Sequence, residues 1–228
     1  MGALDEAHTT PCRTAFCRRM SAFADDLGRL ARRADRQVAR AIDAWERHDP
    51  ELAAEVAAGD AGIDELAARL EREAFEISLL QAPIARDLRM LHAGKVTAVA
   101  LERVGDLAAA IAGLVRRVPE RSEVDAVRGP LHDLAEVAMR ALDDAAAAVS
   151  DWDGDWAHGA MDAGTKAITL LDRVTQAAAR GSQEPDQRRW VAAAVLVGRH
   201  LERAVDNAGE VGRRVCFVTR GERVPAWR

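Results

Sequence analysis

Apolar residues recur at steps of three and four along most of the chain, the spacing that places them on one face of an α-helix. In the first such stretch one stripe runs through Met20, Leu27, Val38 and Trp45. Similar stripes follow, separated by short breaks rich in proline, glycine and aspartate. The pattern predicts six long helices, at about 14–47, 50–81, 84–117, 131–149, 156–180 and 185–220.

Proline and glycine mark the predicted ends. Asp49 is a candidate cap for the second helix, and Pro50 suits the first helical position because it has no backbone N–H to leave unpaired. Pro83 disfavours helix in the residue before it, so the second helix is expected to stop there. The pair Gly129-Pro130 either begins or kinks the fourth helix.

The six helices form two sets of three, which indicates a duplication. The segment Leu101–Asp106 reads LERVGD and Leu201–Asp206 reads LERAVD, each in the middle of the third helix of its half. The expected fold is all-α, with two pseudo-repeated antiparallel three-helix bundles. The predicted domains are residues 14–118 and 119–221.

Composition supports this fold and excludes several functions. The chain is 49% apolar and 30% charged, contains no tyrosine, and is rich in the strong helix formers alanine, leucine, arginine and glutamate. Its net charge is −5, and acidic and basic residues are interleaved without a basic block, which argues against nucleic-acid binding. No apolar run is long enough to span a membrane, and the first residues do not resemble a signal peptide. The protein is therefore expected to be soluble and cytoplasmic.

Three pairs of carboxylates stand four residues apart within the predicted helices. Side chains at this spacing are separated by about 40° around the helix and lie on one face. Like charges so placed repel each other, so both groups must either lie in water, which screens the repulsion, or be neutralised, for example by a cation. Clustered carboxylates suit hard cations such as Mg²⁺, Ca²⁺, Mn²⁺ or iron. The pairs are Asp60 with Asp64, Glu102 with Asp106, and Glu202 with Asp206.

Spacing alone leaves the role of these pairs open. Each pair could instead belong to a solvated face, with Arg103 and Arg203 as local partners. Gly105 favours the first interpretation, because glycine disfavours helix and indicates a close helix–helix approach or a crowded site beside Asp106. A metal-dependent enzyme that uses the carboxylates is an alternative function, but the sequence contains no nucleophile or base motif to go with them. A purely structural helical dimer is a third possibility.

Several motifs in order resemble the PhoU family of bacterial phosphate-signalling proteins. They are the acidic pair in Gly59–Asp64, the run Gln81–Arg89 (QAPIARDLR), the segment Leu101–Asp106, and a second Glu-x-x-x-Asp at Glu202. The resemblance extends from about Phe23 to Gly221. It implies two three-helix bundles, often in a homodimer, and it implies that the six paired carboxylates bind metal ions, either iron, zinc or magnesium.

The resemblance also implies a function. PhoU proteins restrain the phosphate-starvation response and phosphate uptake. They act without catalysis between the ATPase subunit of a phosphate ABC transporter and a sensor histidine kinase, and they meet the membrane only through these partners. A non-catalytic adaptor of this kind is the expectation for this chain.

The sequence departs from the family pattern mainly in its second half. Val205 replaces the glycine before the aspartate, and Asp162 is followed four residues later by Lys166, where many members have a second aspartate. An ammonium group there would repel a cation or take its place. The second metal site is therefore expected to be weaker than the first, or empty.

Overall fold

A computed structural model describes residues 11–119, 122–181 and 184–221. Within these ranges all regular secondary structure is helical, as the sequence predicts. The helices are α1 (Pro11–Glu46), α2 (Pro50–Gly59), α3 (Ala61–Gln81), α4 (Ala85–Val115), α5 (Asp125–Asp151), α6 (Gly154–Ala179) and α7 (Pro185–Arg220).

The second predicted helix is interrupted at Asp60, which separates α2 from α3. Asp60 itself keeps helical dihedral angles, with φ −62° and ψ −46°. Its carbonyl accepts bonds from the backbone N–H groups of Ile63, at 2.7 Å, and Asp64, at 3.1 Å. The interruption is therefore a local distortion within one of six long helical segments and does not add a turn.

Local sequence signals predict one helix start correctly and another wrongly. Asp49 caps α2 as predicted, because its carboxylate accepts from the N–H groups of Glu51 and Leu52 at 3.0 and 2.9 Å. The predicted start of the fourth helix at residue 131 is wrong, since α5 begins at Asp125 and includes Pro130. A proline this close to a helix start removes only one backbone hydrogen bond, so the helix tolerates it.

The helices pack as two groups of three helical segments. Helix α1 contacts α2, α3 and α4, and α5, α6 and α7 all contact one another. The two groups meet where α4 packs on α7 and α1 packs on α5. The core is dominated by alanine, leucine and valine. The domain boundary between residues 118 and 119 stays a prediction.

Two tryptophans connect the groups of helices. Trp45, near the end of α1, stacks on Trp190, near the start of α7, with ring centroids 5.8 Å apart and planes inclined by 27°. Both side chains are buried. The pair therefore joins the end of α1 to the start of α7 through a buried aromatic contact. Among the described helices, none is long and apolar enough to cross a bilayer.

Asp35 lies where α1 packs on α5, and its carboxyl group has a raised pKa. Burial raises the pKa of Asp35 from its ordinary 3.8 to about 6, and the negative charge of Asp143 adds to the rise, while Arg36 opposes it. The folded state therefore binds a proton here more tightly than the unfolded chain does. The stability this gives is fully present below pH 3.8 and is lost as the pH rises through about 6.

Replacing Asp35 by asparagine tests this shift. We expect the Asp35→Asn variant to melt about 2–4 °C higher than the parent at pH 7.5, because the amide removes an ionised group that burial disfavours, a penalty partly screened by water at this half-buried site. At pH 4.5 the two melting temperatures should converge. Asp25, exposed on the same helix, provides the control substitution to asparagine. A stabilisation that is equal at both pH values would contradict the assignment.

Candidate metal centre

The start of α3 and the middle of α4 bring three aspartates together. One carboxylate oxygen each from Asp60, Asp64 and Asp106 lies within 4.8 Å of the other two. Asp60 is half-buried, and Asp64 and Asp106 are exposed. The i, i+4 spacing of the first two therefore does place them on one face of the helix, and packing against α4 adds the third.

Gly105 creates the space for this cluster. A Cβ atom at Gly105 would stand 2.8 Å from Oδ1 of Asp60 and 3.1 Å from the side chain of Ile63, both closer than van der Waals contact allows. Oδ1 of Asp60 is buried and has no hydrogen-bond partner. Burying an unpaired carboxylate oxygen costs free energy, and a bound cation would remove that cost. The close helix approach inferred from Gly105 is confirmed.

Glu102 shares the negative field of the cluster. Burial raises its pKa above the ordinary value, and the charges of Asp106, Asp64 and Asp60 raise it further against the opposing effect of Arg103. The pKa of Asp60 is raised by burial and then by Asp64 and Asp106. The sequence-predicted residues of the first half thus interact as one group, which we call the acidic cluster: Asp60, Asp64, Glu102 and Asp106.

The donor atoms of the acidic cluster are all carboxylate oxygens. Such donors favour hard cations, among them Mg²⁺, Mn²⁺ and ferric iron, over ions that prefer sulfur or imidazole. The arrangement could hold one cation among three aspartates, with Glu102 close enough to sense their charge. Magnesium and iron fit this donor set better than zinc does.

The second half arranges its pair differently. Glu202 is buried, and one of its carboxylate oxygens accepts a hydrogen bond from Nη1 of Arg199 at 2.7 Å. Asp206 is exposed. Sequence reasoning named Arg203 as the local partner, whereas Arg199 makes the bond, a pairing that its i, i+3 spacing could have indicated. Over the described residues, the only group of three acidic, histidine or cysteine side chains that could hold a metal is the one in the first half.

Helix register gives a physical reason for this difference. Gly198 of α7 faces Leu171 of α6, and Gly209 faces Ala160, so the antiparallel register places Gly164 opposite Val205. Both Gly164 and Val205 are buried. The first half has the Asp60 carboxylate just before α3 and a glycine on α4, and the second half has a glycine on α6 and a valine on α7. The second half therefore has a buried valine and a buried glycine, and no carboxylate, at the positions that this register pairs.

Lys166 was expected to weaken the second site. It is exposed on α6, as is Asp162 four residues earlier. The second half has Gly164 and Val205 where the first half has Asp60 and Gly105, and these two residues are buried in the helix contact whereas Lys166 is exposed. This difference is the stronger reason to expect weak metal binding in the second half.

Comparison with known proteins identifies the family. The PhoU domain model matches residues 27–115. Two proteins of Mycobacterium tuberculosis, named phosphate-specific transport system accessory protein PhoU homolog 1 and homolog 2, are each 31% identical to this chain, over 218 and 221 residues. These alignments cover 92% of this chain and 95% and 98% of the relatives. The chain belongs to the PhoU family.

Solved PhoU structures share its fold. The regulatory protein PhoU from Streptococcus pneumoniae superposes with a TM-score of 0.83 at 19% identity, covering 92% of this chain and 99% of that one. PhoU from Pseudomonas aeruginosa gives a TM-score of 0.85 at 21% identity, covering 91% and 100%. The expected PhoU fold of two three-helix bundles is confirmed. The PhoU family consists of non-catalytic accessory and regulatory proteins, which agrees with the expectation that the chain is not an enzyme.

A single methyl group at Gly105 should separate metal binding from folding. We expect Gly105→Ala to weaken binding of Mg²⁺ or Mn²⁺ at least about tenfold, because the new Cβ displaces the Asp60 carboxylate. The free energy of unfolding should change little, because alanine is about 1 kcal/mol more favourable than glycine in a helix and this gain offsets the strain of the displaced side chain. Isothermal titration calorimetry and thermal melts measure the two effects. Gly113 on the same helix has open space around it, so Gly113→Ala should stabilise by about 0.5–1 kcal/mol and leave metal affinity unchanged. Normal metal binding by Gly105→Ala would refute the packing argument.

Metal content should differ between the two halves of this PhoU protein. Asp64→Asn/Asp106→Asn removes the negative charge of two of the three close carboxylates and should abolish the tightest bound ion, measured by elemental analysis after dialysis. The matched variant Glu202→Gln/Asp206→Asn should retain it. Equal losses from both variants would refute the asymmetry.

Proposed function

We propose that this chain restrains phosphate uptake and the phosphate-starvation response as a non-catalytic adaptor. Its partners would be the ATPase subunit of a phosphate ABC transporter and a sensor histidine kinase, both reached from the cytoplasm. The names of the mycobacterial relatives support the link to phosphate-specific transport. Their alignment over nearly the whole chain supports a role of the complete two-bundle unit.

The observation that carries the adaptor role is an exposed apolar patch at one end of the first bundle. Large apolar side chains on a soluble surface usually occur singly, and a contiguous group marks a surface for a partner. Here such side chains cluster where α3 ends and α4 begins, around the turn that contains Pro83. We call them the docking patch: Phe75, Leu79, Leu80, Ile84 and Leu88, which are 68%, 70%, 65%, 77% and 48% exposed.

The acidic cluster and the docking patch lie on the same two helices. Asp64 and Leu79 are 15 residues apart on α3, or about 22 Å along the helix. A cation bound between Asp60, Asp64 and Asp106 would neutralise the repulsion between α3 and α4 and fix one helix against the other. We infer that the metal keeps the docking patch in a single conformation and takes no part in chemistry.

We also propose that the working unit is a homodimer, as the resemblance to PhoU proteins implies. The docking patch is assigned to the transporter or kinase partner and not to the second copy, so the two contacts can be tested separately. Size-exclusion chromatography with light scattering reports the dimer, and co-purification reports the partner.

Charged substitutions in the docking patch should disrupt partner binding without disrupting the fold. We expect Leu80→Glu/Ile84→Glu to lose co-purification with the transporter ATPase or the histidine kinase and to derepress a phosphate-starvation reporter in cells grown with ample phosphate. The melting temperature should change little, because both side chains are largely exposed. Leu196, 49% exposed on α7, provides the control Leu196→Glu. Intact partner binding by the patch variant, or a loss of the dimer instead, would contradict the assignment.

A further inference from the structure

A polar pocket lies on the other face of α3, where that helix packs on α1. Its volume is about 400 Å³, within the range of small-molecule sites. The residues that line it are unusual for an acidic protein, because most are arginines. They are Arg29, Arg32, Arg33 and Arg36 of α1 and Arg69 of α3. We call it the arginine pocket.

The arginine pocket contains more positive charge than its surroundings neutralise. Glu65 is the one carboxylate in its lining. Asp26 lies next to it and forms ion pairs with both Arg29 and Arg69, the latter at 2.9 Å. Asp35 interacts with Arg36 from outside the lining. Five guanidinium groups are therefore balanced by three carboxylates, in a chain whose net charge is −5. This local excess of charge opposes the sign of the whole protein.

Two of the arginines are positioned by neutral acceptors. Nη2 of Arg33 donates to the carbonyl oxygen of Gly59 at 3.3 Å. Nη1 of Arg32 donates to the hydroxyl of Ser150 on α5. These bonds orient the guanidinium groups but leave their charges uncompensated. Such preorganised donors lower the cost of binding an anion, since less side-chain freedom is lost when it arrives.

The chemistry of guanidinium identifies the class of ligand. Its planar N–H donors match pairs of phosphate oxygens, and charge-assisted bonds of this kind are about twice as strong as neutral ones. A single phosphate group could contact only part of a pocket lined by five arginines. We infer that the arginine pocket binds a soluble compound with linked phosphate groups, of which pyrophosphate is the smallest.

This inference is independent of the metal and of the docking patch. Glu65 and Arg69 point to the α1 side of α3, whereas Asp60 and Asp64 meet α4. The anion site can therefore be tested on protein from which metal has been removed, so that no metal–pyrophosphate complex forms at the acidic cluster.

Calorimetric titration of the full chain with pyrophosphate, in chelator-treated buffer at constant ionic strength, tests the proposal. We expect saturable binding at one site, at least about tenfold tighter than sulfate, because pyrophosphate can engage more guanidinium groups at once. Arg36→Gln/Arg69→Gln removes two of the five charges and should weaken binding at least about tenfold. Asp64→Asn/Asp106→Asn should leave it unchanged, which separates failure of this site from failure of the metal site.

The control is Arg72→Gln, since Arg72 is exposed on α3 and does not line the pocket. It should bind pyrophosphate like the parent, and thermal melts should show that all variants are folded. Absence of saturable binding, equal affinity for sulfate, or equal weakening by the control would overturn the proposal. Binding to phosphatidylglycerol vesicles without any response to pyrophosphate would also overturn it, because the ligand would then be a lipid headgroup.

Discussion

The close approach of α3 to α4 at Gly105 is the constraint on which the acidic cluster depends. Without a side chain at this position, the Asp60 carboxylate enters the helix contact and one of its oxygens is buried without a partner. This places carboxylates of two different helices within reach of one ion. The second half has a buried valine, Val205, at the position that corresponds to Gly105.

The apolar core allows the protein to keep this unfavourable group of charges. The packed alanine, leucine and valine side chains extend through both groups of helices. Native proteins tolerate a local conflict when the rest of the fold is consistent, and such conflicts concentrate at functional sites. The unpaired oxygen of Asp60 is a conflict of this kind, and it lies within the acidic cluster that we propose as the metal site.

The sequence predicted much of the fold because its signals are local. The steps of three and four and the Asp49 cap each report on neighbours a few residues away. The glycine within LERVGD is the exception, because it reports a contact with another helix. The start of α5 was misplaced because a proline near a helix start reads like a boundary. The different environments of Glu102 and Glu202 could not be read from two nearly identical motifs, since burial is decided by the facing helix.

The arginine pocket escaped sequence reasoning for a related reason. Its four arginines on α1 lie among acidic residues and read as an ordinary solvated face, and Arg69 belongs to another helix. Only the packing of α1 on α3 makes them neighbours. Charge interleaved along a chain can therefore become segregated in space when the helices associate.

The placement of Arg33 has a thermodynamic consequence for α3. Its guanidinium contacts the Gly59 carbonyl and fills the space beside Gly62, so it touches the backbone on both sides of Asp60. One helical segment thus separates the arginine pocket from the acidic cluster, so ligands bound at the two sites would lie against the same few peptide groups and could influence each other. Linkage makes any such influence mutual: whatever factor a cation imposes on the affinity for an anion, the anion imposes on the affinity for the cation.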